Sequence, residues 1–218
     1  MSEARVELLS LVGSLAAWRR IGLTVTDTEV GSGADVGEVP FMFTSLRIVP
    51  DDGAIGEGPG IVGWSLSGID PEVTSIDGLA TEVVPARDPV VADHPNGAIE
   101  LDHVVVLTSS LDRTCGAIEA ATGSPLKRVR EVGSMRQGFH RLGSGGLVVE
   151  VVERPEVTDG HASFWGLVIN VRDLDVAVDL IGADRIGEPI DAVQPGRRIA
   201  TVRGAAGLGT AVALMTPP

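Results

Sequence analysis

Leu101-Asp102-His103-Val104-Val105-Val106-Leu107 runs into Ser109-Ser110-Leu111-Asp112-Arg113, and 63 positions further on Phe164-Trp165-Gly166-Leu167-Val168-Ile169 runs into Arg172-Asp173-Leu174-Asp175. Each stretch is a short apolar run that reads as a strand and leads into a helix start, for which Ser110 and Asp173 are good N-cap types. Leu174, Val176, Val178, Leu180 and Ile181 are the apolar positions of a short helix that Gly182 ends. At the far end, Glu153-Arg154-Pro155 matches Met215-Thr216-Pro217 at a spacing of 62. Two units of nearly equal length therefore run strand, helix, strand, strand, strand over about 99–154 and 163–216.

A third window of the same kind begins at Arg5–Leu11 and reaches a helix start at Gly13-Ser14-Leu15. Between them, Arg87-Asp88-Pro89 through His94-Pro95-Asn96-Gly97 is loop-like and divides 1–95 from 96–218. A second loop, Arg154–Ala162, separates the two C-terminal units. Gly63-Trp64-Ser65-Leu66 either begins another unit or closes the first, so 61–98 reads as a second N-terminal unit or as a linker.

The chain has 218 residues, enough for one large or two small domains. Seventeen basic residues stand against 30 acidic ones, a net charge of −13, which repels phosphates and excludes a nucleic-acid role. An anionic membrane surface is disfavoured for the same reason. No run approaches the roughly 20 apolar residues of a spanning helix. The start, MSEARVELLSL, has acids where a signal peptide needs a basic opening, so none is expected. Cys115 stands alone and cannot form an internal disulfide, which agrees with a cytoplasmic location. Hydrophobic residues make up 44% but aromatics only 3%, so the core is expected to be aliphatic.

With these stretches, together with Gln137-Gly138-Phe139-His140-Arg141-Leu142-Gly143, Gly146 through Glu153 and Gln194 through Thr201, the chain resembles the vicinal oxygen chelate superfamily. That superfamily contains glyoxalase I, bleomycin-resistance proteins and extradiol dioxygenases. The resemblance covers about 99–216, and residues 1–95 look like a shortened, divergent copy. It implies an α+β fold in which paired βαβββ units form an open, U-shaped mixed sheet around a small-molecule cup.

In metal-dependent members each unit supplies one ligand from its first strand and one from its last. The resemblance thus assigns His103 and Glu150, with Glu150 also the candidate catalytic carboxylate. The repeat spacings carry His103 to Gly166 and Glu150 to Val212, and neither has a donor side chain. Catalytic metals normally hold three protein groups and an open position. The expectation is a vestigial half-site without a tightly bound cofactor, although imidazole plus carboxylate suits a divalent ion such as Zn, Fe, Mn or Ni.

The turn Gly143-Ser144-Gly145-Gly146 pairs Leu142 with Leu147, which sets Phe139 opposite Glu150 and turns His140 away. Gln137 and Phe139 then share the face of Glu150 and are candidate ligand contacts. Trp165 is a candidate for the cup's apolar wall, with core packing as the alternative. Gln194, Arg197 and Arg198 are candidate ligand contacts, and one of the two arginines, since strand neighbours alternate, could grip a substrate carboxylate; surface ion pairing is the plainer use of both. Glu7, spaced from Leu15 as His103 is from Leu111, reads as a solvated strand carboxylate. Lys127-Arg128-Val129-Arg130 reads as a solvated strand edge, Cys115 as a small buried hydrophobe, and His94 and His161 as loop residues.

Three functions follow from these readings. The first is a metal-free protein binding a small, partly apolar molecule in the cup, as in the bleomycin-resistance branch. The second is a metal-dependent lyase, isomerase or dioxygenase using His103 and Glu150. The third is a non-catalytic structural or regulatory module. The expected partner is a small molecule, with no nucleic acid and no membrane, the chain acting as monomer or homodimer.

Overall fold

The structure is a computed structural model that describes residues 3–29, 35–41, 43–50, 60–90, 92–143, 146–154, 156–157 and 160–218. Ser144 and Gly145 of the expected hairpin turn lie outside the described residues, as does Pro155 of the repeat.

The chain opens with β1 (Arg5–Val12), α1 (Leu15–Arg20), β2 (Thr26–Glu29), β3 (Asp35–Pro40) and β4 (Ser45–Val49). It continues with β5 (Gly60–Ser67), β6 (Ser75–Ile76) and β7 (Leu79–Val83), with no helix between β5 and β6. These strands make one sheet in the order β2-β3-β4-β1-β5-β7-β6. β4 runs parallel to β1, β5 antiparallel to β1, and β7 parallel to β5.

The second sheet repeats the plan in full. β8 (Ala98–Thr108), α2 (Leu111–Thr122), β9 (Arg128–Val132), β10 (Met135–Arg141) and β11 (Val148–Glu153) form one βαβββ unit. β12 (Ser163–Val171), α3 (Leu174–Ile181), β13 (Ile190–Asp191), β14 (Arg198–Thr201) and β15 (Ala211–Met215) form the other. Strand order is β13-β14-β15-β12-β8-β11-β10-β9, so the units meet through their first strands, and β9 and β13 are the outer edges. The fold is α+β, built on mixed sheets.

The helix signals act where they stand in the sequence. Ser110 caps α2 by accepting the Arg113 N–H, and the Asp173 carboxylate caps α3 by accepting the N–H groups of Asp175 and Val176. α3 ends at Gly182, whose φ of 86° is open to glycine at little steric cost. The core is aliphatic as expected, one contiguous cluster of Val, Leu, Ile and Ala joined by the fully buried Trp18 and Trp64. Trp64 of β5 meets Phe164 of β12 edge to face at 5.3 Å, which ties the two sheets together. A polar clamp lies beside it. Asp77, in the β6–β7 turn at φ 49°, accepts from Arg113 Nε at 2.8 Å and from the Thr114 hydroxyl. Cys115 is buried in α2, and burial pushes its thiol up to about 11. No helix of the described residues is long and apolar enough to cross a membrane.

Candidate functional site

The site is assembled on the two central strands of the second sheet. Between β8 and β12 the ladder pairs Val168 with His103 and then Ile169 with Leu101, leaving Asp102 as an extra residue in β8. Such a bulge breaks the period-two alternation and re-aims side chains. Here it lets neighbours 102 and 103 reach one another: His103 Nδ1 lies 2.8 Å from Asp102 Oδ2. The ring's other nitrogen, Nε2, stands 3.5 Å from Glu150 Oε2 on β11. Glu150 Oε1 accepts from Gln137 Nε2 at 2.8 Å, β10 having brought Gln137 to the same face.

Behind His103 the network continues. Asp102 Oδ1 accepts from Arg197 Nη2 at 2.8 Å and from Asn170 Nδ2 at 3.0 Å. Arg197 also donates to Asn170 Oδ1 and to the Thr216 carbonyl, and Asn170 donates to Glu100. Burial would push the Asp102 carboxyl up, but hydrogen bonds from His103 and Arg197, with their charges, bring it down to about 2. Asp102 is therefore ionised, and His103 Nδ1 donates to it. Glu150 moves the other way. Burial raises its pKa, with the charges of His103, Arg130 and Arg128 opposing.

These groups line adjoining hollows of the cup. One, of about 300 Å³, has His103, Gln137 and Glu150 beside Val105, Leu107 and Val152. Another, of about 620 Å³, reaches from Glu150 and Phe139 to the chain at Ile190–Pro195. Val168, Ala213 and Met215, with Ala192 and Ile199, form an apolar floor on the β12 side. Gln137 Oε1 is buried and, among the described residues, has no hydrogen-bond partner. Its cup-lining position leaves an acceptor for whatever enters.

The hairpin register agrees with expectation: Phe139 pairs with Glu150 and His140 with Val149. His140 is buried on the far face with Nδ1 donating to the Ser124 carbonyl at 3.0 Å, and burial lowers its pKa. Phe139 faces the cup under the Arg128 guanidinium, 4.9 Å from ring centre. Gln194 lines the same hollow. Trp165 is 48% exposed at the rim, so it is not packed in the core. Of the two arginines, Arg197 joins the Asp102 network while Arg198 turns out to α3 and pairs with Asp175 at 2.7 Å. Arg198 therefore stands apart from the cup.

Two expectations differ from the structure. Glu7 is not solvated: it is buried in a β1 bulge and accepts from Arg5, Ser67 Oγ and the Arg87 N–H. The counterpart of Glu150 is Ala213 rather than Val212. Glu150 pairs with Val105 as Ala213 pairs with Val168, every partner 63 positions on, and Val212 belongs to the core. The solvated strand edge expected at Lys127–Arg130 is found as the outer strand β9, and Arg128 and Arg130 line the cup from it as well. Their signal was in the sequence: β9 pairs Arg128 with Phe139 and Arg130 with Gln137, putting them on the cup face. Asp102 carried no such signal, its orientation depending on the bulge. Asn170 was visible only as a polar residue in an apolar strand.

The second unit's ligand positions are thus Gly166 and Ala213, and neither offers a donor atom. At Gly166 even a Cβ would lie 2.6 Å from the Ala211 carbonyl oxygen. Among the described residues no group of three or more His, Cys, Asp or Glu side chains is arranged to hold a metal ion. With Asp102 committed to His103 and Arg197, two donors remain, and these do not make the ligand set of a catalytic metal.

Neither a family model nor a curated protein matches the chain. Solved structures do. A triple mutant of 4-hydroxymandelate synthase from Streptomyces coelicolor superposes with a TM-score of 0.71 at 14% identity, over 99% of this chain and 93% of that one. A halotolerant catechol dioxygenase, BphC, gives 0.69 at 15% identity over 98% and 86%. The chain has the vicinal oxygen chelate fold. A xylose isomerase-like TIM barrel/4-hydroxyphenylpyruvate dioxygenase fusion protein superposes at 0.65 and 10% identity, over 99% of this chain and 49% of that one. At such identities the likeness is one of fold.

Proposed function

We propose that the C-terminal cup binds a small, partly apolar molecule without a tightly held metal ion. The observation that carries this reading is the one-sided donor set. His103 and Glu150 face each other, while their counterparts Gly166 and Ala213 supply a close backbone contact and a methyl group. The apolar floor and the unpartnered Gln137 Oε1 suit an organic ligand that presents a hydrogen-bond donor. A metal-dependent lyase, isomerase or dioxygenase is the second reading. It is favoured by the Asp102–His103 hydrogen bond, since a carboxylate commonly orients a metal-ligating imidazole in this way.

Isothermal titration with Zn²⁺, Mn²⁺ and Ni²⁺ separates them. Binding weaker than micromolar is expected, together with organic ligands that raise Tm in the presence of a chelator. Submicromolar metal binding that His103→Ala abolishes refutes the metal-free reading and establishes the second.

A further inference from the structure

The outermost strands of the second sheet, β9 and β13, are seven places apart in strand order yet line one hollow. The sheet has curled until its edges face each other. On the β9 edge the alternation selects charge: Arg128 and Arg130 turn to the cup, while the adjacent Glu131 pairs in the ladder with Arg136. On the β13 edge stand Ile190 and Val193, 65% and 67% exposed. One wall is cationic and the other apolar.

Ion pairs take up some arginines of this acidic chain and leave others free of carboxylate among the described residues. Arg87, Arg136, Arg172, Arg197 and Arg198 each hold a carboxylate. Among the described residues, Arg128 and Arg130 take part in no ion pair. Arg128 is held over the Phe139 ring, which fixes its plane and leaves its donors for another group. The carboxyl groups facing this hollow are Glu150, which accepts from Gln137, faces His103 and lies within the field of Arg128 and Arg130 without pairing with either, and Asp191, near the charge of Arg198. A guanidinium pair opposite exposed aliphatic side chains is what an anionic head on an apolar body would fill.

We propose that the cup takes an organic anion, its charged head on Arg128 and Arg130 and its apolar body against Ile190 and Val193. This rests on the reading of the cup as a small-molecule site and names the class of molecule. The three tryptophans supply the reporter, since Trp18 and Trp64 are buried and Trp165 stands at the cup's rim. The probes are hexanoate, hexane-1-sulfonate and the neutral hexanamide, followed by Trp165 emission and by melting, with Trp165→Phe as the optical control.

Both anions are expected to bind at least about tenfold more tightly than the amide, from one or two charge-assisted hydrogen bonds. Added salt weakens the preference. The pair Arg128→Gln with Arg130→Gln removes it, bringing both anions to the affinity of the amide in the same variant. Arg172→Gln, an exposed arginine outside the cup, leaves it intact. Arg130→Gln alone keeps the Arg128–Phe139 stack and carries the test where the double variant folds poorly. If the anions bind no better than the amide, or the double variant keeps the preference, the proposal is overturned and the cup remains a small-molecule site. If no probe moves either signal, both fall.

Discussion

Replacing Gly166 with alanine puts a Cβ 2.6 Å from the Ala211 carbonyl oxygen and 2.9 Å from the Ala211 Cβ. Both belong to β15, the strand paired with this stretch of β12, so no flexible side chain can swing away. Overpacking of this kind costs about 1–3 kcal/mol, and a backbone obstacle belongs at the upper end. The unfolded chain gives back up to about 1 kcal/mol, because alanine has fewer conformations to lose than glycine. The expected net loss is about 2 kcal/mol, or about 4–8 °C in Tm for a chain of this length. Gly116 is the matched control: it lies in α2 with nothing within 4 Å of its would-be Cβ. Alanine there should stabilise by about 0.5–1 kcal/mol. Urea unfolding followed by tryptophan emission reads both. An unchanged midpoint for Gly166→Ala refutes the close approach, and with it the claim that the second unit has no room for a first-strand ligand.

The remaining expectations concern the polar network and the clamp between the sheets. Asp102 has its pKa lowered from 3.8 to about 2, so its stabilisation is present above pH 4 and is lost as pH falls from about 4 to 2. That lowering is worth about 2 kcal/mol, and Asp102→Asn should lose this much at pH 7 and flatten the acid limb of a urea-midpoint against pH series. Glu150, raised by burial, contributes with the opposite sign and loses stability as pH rises through its ordinary range. Val168 faces His103 across the ladder at the cup floor, so Val168→His supplies a third donor; titration should show Zn²⁺ bound at least about tenfold more tightly, and a further His103→Ala should erase the gain. Asp77→Ala breaks the clamp to Arg113 and Thr114 and puts alanine at φ 49°, for a loss of about 2 kcal/mol in urea unfolding, while Asp77→Asn, which tolerates that backbone, should lose less.

What was legible in the sequence is what short-range chemistry sets. Ser110, Asp173 and Gly182 mark helix ends because caps are satisfied within a few residues, and the β10–β11 register followed from its turn. What was not legible depends on partners far along the chain. Glu7 is buried because Ser67 and the Arg87 N–H come to it from more distant stretches. Asp102 joins His103 because β12 forces a bulge into β8. The one-residue difference at Val212 has a plain cause: the spacing of 62 matches the strand ends Glu153 and Met215, but β15 stops one residue short of the position equivalent to Glu153, and strand alternation turns one residue into the opposite face. Composition places Arg128 and Arg130 on a solvated strand edge, as found, but only the hairpin register carried one strand further places them in the cup.

Both strands at the seam are bulged. β12 has a bulge at Trp165, where the ladder passes from Phe164 to Gly166, and Trp165 is 63 positions beyond Asp102. The same backbone device thus recurs at equivalent points of the two units, on either side of the seam between β8 and β12. In β8 it positions the carboxylate that holds His103, whereas in β12 it turns an indole out to the rim. The cup's backbone has been built twice and its facing imidazole–carboxylate pair once, with Asn170 and Arg197 of the second unit buttressing it from behind. His103, Glu150, Gln137, Arg128 and Arg130 come from the first unit; Val168, Ala213, Ile199 and Met215 come from the second. A ligand with two identical ends would leave one half of such a cup unmatched, and one with a polar and an apolar end is held in a single orientation.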